Sequence, residues 1–120
     1  QTILPEDPYF PELVLYLKSP KTDNQGWTHF LQVHPDGSGD YVSYRPDKLD
    51  HATRWIIRNG DREAYGFLLP GTCDPEGYTH EKAAGNVRII PERSSVSYHI
   101  ITGALDPIQT KEMQRKIEKL

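Results

Sequence analysis

Polar and apolar residues alternate with a period of two through most of this chain, a pattern that predicts strands. In residues 12–18 (ELVLYLK), Leu13, Leu15 and Leu17 share one face, with Val14 and Tyr16 on the other. Residues 27–34 (WTHFLQVH) alternate likewise and run into the turn sequence PDGSG at 35–39. A short strand at 40–44 is closed by Arg45-Pro46-Asp47, and a longer one at 51–59 (HATRWIIRN) by Asn59-Gly60-Asp61. Residues 64–69 (AYGFLL) stop at Pro70-Gly71, 79–85 hold one helical turn that Gly85 ends, and 86–91 and 96–102 are the last predicted strands.

The tail changes period. Asp106 is placed to cap a helix, Pro107 suits its first position, and Gln109 stands where the partner of a capping box belongs. Ile108, Met113, Ile117 and Leu120 approximate one stripe, so a helix is predicted over 107–120. Residues 1–11, with Pro5, Pro8 and Pro11, read as an extended arm and not as a strand interior. The arm carries Ile3, Leu4, Tyr9 and Phe10, more apolar residues than an exposed tail holds. Its start at Gln1 reads as that of a processed product, a subunit or a trimmed piece. The expected organisation is an arm (1–11), a β-sandwich section (12–105) and a terminal helix (106–120). Short strands with no helices between them predict a mainly antiparallel sandwich and exclude a parallel βαβ array.

Composition narrows the function. The chain has 120 residues and a formal net charge of −3, so no global field exists to hold a nucleic acid. Its densest basic run, Lys111, Arg115, Lys116 and Lys119, is interrupted by Glu112 and Glu118 and reads as a solvated helix face. Cys73 is the only cysteine, which excludes an internal disulfide and zinc sites built on two or more cysteines, and suits a reducing, cytoplasmic setting. Apolar runs such as Phe67-Leu68-Leu69 are far too short to span a bilayer. His29, His34, His51, His80 and His99 show no i, i+4 pair, and neither a P-loop nor a dinucleotide fingerprint is present. No metal and no cofactor are expected.

From residue 51 to 105 the chain resembles the closing section of aldose-epimerase-like, galactose-mutarotase-type proteins. The residues that carry the resemblance are Arg54-Trp55, then Ala64-Tyr-Gly-Phe-Leu-Leu-Pro-Gly-Thr72, Asp74-Pro-Glu-Gly-Tyr78, Glu81-Lys82 and Gly85-Asn86-Val87. Pro91, Ser94-Ser95 and Gly103-Ala-Leu105 follow in the same order. The resemblance implies a partial galactose-mutarotase-like β-sandwich that binds a sugar on one sheet. It also implies an aldose 1-epimerase (isomerase) chemistry, with a histidine acid at the ring oxygen and a glutamate base at the anomeric hydroxyl. This sequence departs from that pattern. The place of the base falls on Leu69 or Pro70, neither of which accepts a proton, and the acid histidine lies upstream of the matching region. A complete enzyme of this kind needs about twice the length. The expected function is therefore a C-terminal part or subunit of a sugar-anomer-converting enzyme, or else a non-catalytic carbohydrate-binding or assembly module. Whether the chain is an enzyme is left open by its residues.

Arg54, Trp55, Glu76 and His80 are the carbohydrate-binding candidates, and no catalytic residue is assigned. An indole packs on pyranose C–H groups and a guanidinium donates to hydroxyls, although Trp55 equally suits a sandwich core. Adjacent on a regular strand, Arg54 and Trp55 point to opposite faces, so only one of them meets a ligand. Glu76 and His80 flank Gly77-Tyr78 and could form an acid–base pair, or simply belong to a tight turn. Cys73 reads as an inert thiol. The expected partners are a small-molecule sugar and a second polypeptide or further copies of the chain, since a short sheet leaves edges open.

Overall fold

A computed structural model describes residues 9–120, and most of the proline-rich arm (1–8) lies outside the described residues. Six strands and two helices follow in order: β1 (Tyr9–Leu17), β2 (Thr28–Val33), β3 (Gly39–Tyr44), β4 (His51–Arg58), β5 (Glu63–Gly71), α1 (Tyr78–Ala83), β6 (Ile100–Leu105) and α2 (Pro107–Glu118). They form two three-stranded antiparallel sheets, the first in the order β1-β4-β5 and the second β2-β3-β6. The chain is mainly β with a C-terminal helix.

Cross-strand partners share a face, so the registers fix which side chains point inward. In the first sheet Leu17, Ala52 and Pro70 align, as do Leu15, Arg54 and Leu68. In the second sheet Phe30 aligns with Val42, and Thr28 with Tyr44. One apolar cluster joins the two sheets: Val42, Tyr44, Leu49, Ala52 and Leu68, with Leu17, Phe30 and Phe67 packed against it. Phe30 and Tyr44 stack there, ring centroids 6.0 Å apart. Burying a large side chain such as Tyr44 contributes about 1.5–3 kcal/mol. Polar groups taken inside are paired: Ser43 Oγ donates to the Thr28 carbonyl at 2.8 Å. Among the described residues, no buried side-chain nitrogen or oxygen lacks a partner.

The structure corrects several boundaries. The first strand begins at Tyr9, inside the expected arm, and its register against β4 is irregular between Tyr9 and Leu13. That break falls at Pro11, which has no N–H to give to a ladder. Residues 86–91 form no strand, and the last strand covers residues 100–105, not 96–102. Alternation alone cannot make a strand without a neighbouring edge to pair with. The terminal helix does carry its capping box, with the Asp106 side chain accepting from Ile108 and Gln109 N–H and the Gln109 side chain accepting from Asp106 N–H. Met113, Ile117 and Leu120 of the expected stripe are partly buried, but Ile108 is exposed and Thr110 is buried in its stead. Thr110 Oγ1 lies where the helix crosses Gly39, so a small hydroxyl there fits and an isoleucine would not.

One loop ties the second sheet to the helix. Asp23 accepts from Gln25 N–H at 2.9 Å and Trp27 N–H at 3.0 Å, and meets His29 Nε2 at 2.9 Å. His29 Nδ1 pairs with the Tyr41 hydroxyl at 2.7 Å, and Lys116 of α2 approaches Asp23 at 3.8 Å. The His29 hydrogen bond, then that from Trp27, hold the Asp23 carboxyl down from 3.8 to about 2 against the opposing effect of burial. An acid with a depressed folded pKa stabilises the fold above its unfolded value, and that stabilisation is lost as pH falls through the folded value. Asp23 therefore contributes fully above pH 3.8 and loses its contribution down to about 2. In urea titrations the stability gap between the wild type and Asp23→Asn should shrink through that window. A gap that is constant across it would contradict this assignment.

Candidate functional site

The outward face of the first sheet carries the chemistry. Val14 aligns with Trp55, and Tyr16 aligns with Thr53 and through it with Leu69. Trp55 faces outward by the alternation of β4, between the inward Arg54 and Ile56, and two residues of β5, Gly66 and Phe67, stand opposite it in a bulge. A Cβ on Gly66 would lie 2.4 Å from the Trp55 carbonyl oxygen, so only glycine fits. The extra residue turns Phe67 toward the core cluster. The neighbouring Arg54 guanidinium braces the same place from the inner side, reaching the Gly66 carbonyl at 3.4 Å and Gln32 Oε1 at 3.1 Å.

Two carboxylates are hydrogen-bonded by aromatic donors on this face. The Trp55 indole N–H donates to Glu12, and the Tyr16 hydroxyl donates to Glu76. The Glu76 hydrogen bond, then burial and the charges of Glu76, Asp74 and Glu81, push the Tyr16 hydroxyl up to about 12. Tyr16 thus remains a donor throughout the neutral range. Glu76 arrives from the loop between β5 and α1, and Glu81 shapes that loop. Although only 3% exposed, Glu81 accepts from Asp74 N–H at 3.1 Å and from Asn86 Nδ2 at 2.8 Å. The Asn86 hydrogen bond, more than the opposing burial, keeps its carboxyl below the usual range.

Of the four sequence candidates, the structure brings Trp55 and Glu76 to one face. Arg54 lies on the opposite face, committed to Gly66 and Gln32. His80 is exposed on α1; its carbonyl accepts from Ala84 N–H at 2.9 Å, but its side chain has no hydrogen bond or ion pair among the described residues. Glu12, Tyr16 and Glu81 complete the arrangement, and sequence reasoning did not select them. The signal for the first two was present, because Glu12, Val14 and Tyr16 occupy alternate positions of β1. Of Leu69 and Pro70, on which the expected base position falls, Leu69 is 63% exposed on this same face and Pro70 aligns with the inward Ala52.

The arrangement offers a half-buried indole, a hydroxyl and two carboxylates whose remaining oxygens can accept hydrogen bonds from a polyol. His51 is on the same face at the strand end, beside Asp50 at 3.2 Å. No group of three or more metal-ligating side chains occurs among the described residues. Among the described residues, no helix is long and apolar enough to cross a membrane. Two open grooves lie elsewhere, between the 17–30 region and the end of α2, and neither includes a candidate residue. We favour the sheet face as the site, because it brings together an indole, a hydroxyl and two carboxylates, whereas the acceptor Asp23 in the first groove is already committed to Gln25, Trp27 and His29. No family model, curated protein or solved structure matches the chain.

Proposed function

We propose that this chain is a carbohydrate-binding section of an aldose-epimerase-like β-sandwich, with a free sugar lying over Trp55 on the outward face of the first sheet. The observation that carries this reading is the pairing of an outward indole with two carboxylates, Glu12 and Glu76, each hydrogen-bonded by an aromatic side chain on that face. Aromatic surface stacks on the C–H groups of a pyranose, and fixed acceptors read its hydroxyls. The ordered motifs from Arg54 to Leu105 point to the same substrate class. Within the proposed sandwich the first sheet supplies the sugar-facing layer, and a reducing compartment is its proposed setting.

In this reading the chain binds without turning over. Mutarotation needs an acid at the ring oxygen and a base at the anomeric hydroxyl, on opposite sides of the opening ring. Leu69 and Pro70 provide no base. In polarimetry of fresh α-glucose and α-galactose, the chain should not raise the rate of anomer interconversion above the buffer blank. A second reading, an active epimerase section, is favoured by one contact: the Tyr16 hydroxyl draws Glu76 onto the face that Leu69 shares. Acceleration above the blank, abolished by Glu76→Gln, would establish that reading and overturn the first.

A further inference from the structure

The second sheet ends in an unguarded strand. β6 pairs with β3 along one edge and with no other strand among the described residues. From Ser94 to Leu105 the sequence has no Asp, Glu, Lys, Arg or Pro. Edge strands of monomeric proteins are normally blunted by a charge, a proline or a bulge, and this one has none of these. It is also apolar on both sides, with Ile100 48% and Ile101 51% exposed. The exposed apolar surface continues into the preceding residues Val96 and Tyr98.

We propose that this edge is a homodimer interface, in which β6 of each copy pairs antiparallel with residues 95–100 of the other, residues 95–99 lying outside the regular strand of the single chain and joining the ladder on pairing. Two features select a second copy as the occupant. The stretch is free of formal charge, so two copies approach without like-charge repulsion, whereas the chain as a whole carries −3. Its sequence is also self-complementary in size. A twofold axis perpendicular to the sheet keeps each face continuous, so paired residues must have the same parity. Centred on Ile100, that register sets Tyr98 against Thr102, Val96 against Ala104, and Ser97 against Gly103. Large residues meet small ones at Tyr98, Val96 and, through Ser95, Leu105, while Ile100 meets itself and His99 meets Ile101 at the centre; Gly103 has open space where a Cβ would stand.

The edge is also left accessible. The turn at 91–94 is closed by Ser94 N–H to the Pro91 carbonyl at 3.2 Å, which sends residues 86–90 away from it. Arg88 then anchors that arm to the loop following β3, by 2.8 Å to the Lys48 carbonyl and 2.6 Å to Asp50. That segment lies on the β3 side, and no other strand of the described residues pairs with the opposite edge. Pairing joins two three-stranded sheets into one of six strands. This inference does not depend on the carbohydrate reading, since the dimer edge and the Trp55 face belong to different sheets.

Analytical ultracentrifugation of the full chain from about 1 to about 100 µM tests it, the range over which interfaces of modest size assemble. The wild type should shift from monomer to dimer and stop there. Ile100→Lys places two like charges at the axis and should weaken dimerisation at least about 100-fold, as should Ile100→Glu. Mixing these two variants should restore a one-to-one dimer. Val96→Lys, outside the regular strand, keeps the test valid if position 100 proves sensitive to folding, and should also weaken the dimer. Ile108→Lys, on the exposed face of α2, should leave it intact. A wild type that stays monomeric at the highest concentration, or a dimer indifferent to charge at both 96 and 100, would overturn the proposal.

Discussion

Gly66→Ala should destabilise the fold by about 1–3 kcal/mol or more, the range for overpacking, toward its upper end because the structure there cannot yield. The added Cβ would sit 2.4 Å from a backbone oxygen, that of Trp55, and not against the end of a mobile side chain. Relief requires opening the β4–β5 ladder at the bulge. Opening it also releases Phe67 from the core and the Arg54 guanidinium from the Gly66 carbonyl. Urea denaturation of the wild type and the variant measures the effect. A loss under about 0.5 kcal/mol, the range of ordinary surface substitutions, would show that the bulge is not a fixed feature.

Trp55→Ala should separate binding from stability. The indole is half-buried on the outward face and lies outside the core cluster, so its removal should cost less than the about 3–5 kcal/mol typical of a core Trp→Ala change. Sugar affinity should fall at least about 10-fold, because the stacking surface is lost and Glu12 loses its donor. Tyr16→Phe should give a smaller loss, since the ring remains and only the hydrogen bond that holds Glu76 is removed. Isothermal titration with monosaccharides, paired with thermal melts, distinguishes these effects. Equal affinity in the wild type and Trp55→Ala would remove Trp55 from the site.

How far the sequence disclosed this arrangement follows from the range of each interaction. Alternation located five of the strands and the helix cap, because both depend on residues within a few positions of one another. Alternation put Arg54 and Trp55 on opposite faces, as they stand, but did not say which of the two faced outward. The bulge at Gly66-Phe67 of β5, opposite one residue of β4, was not legible, because registers between strands are not written in local spacing. For the same reason Arg54 was a candidate from its neighbour, yet its partner Gln32 is 22 positions away. The Tyr16–Glu76 contact spans 60 positions and needs the loop after β5 to fold back over β1. The expected strand at 86–91 failed in the opposite sense. Its residues alternate, but Arg88 commits the segment to the 48–50 loop before any edge is offered to it. Glu81 looked like an ordinary helix residue, and only its burial between Asp74 and Asn86 shows that it shapes the loop bearing Glu76.

The claim that a sugar lies on Trp55 is tested most directly by nuclear magnetic resonance of the two indole N–H groups. Trp27 and Trp55 are the only tryptophans, and Trp27 belongs to the loop capped by Asp23, away from the outward face of the first sheet. Titration with galactose or glucose to about 100 mM covers the weak affinities expected of an open, half-buried platform. The Trp55 indole resonance should shift saturably while that of Trp27 stays in place. If the Trp55 resonance does not move with either sugar across that range, the face does not bind carbohydrate and the proposed function is wrong.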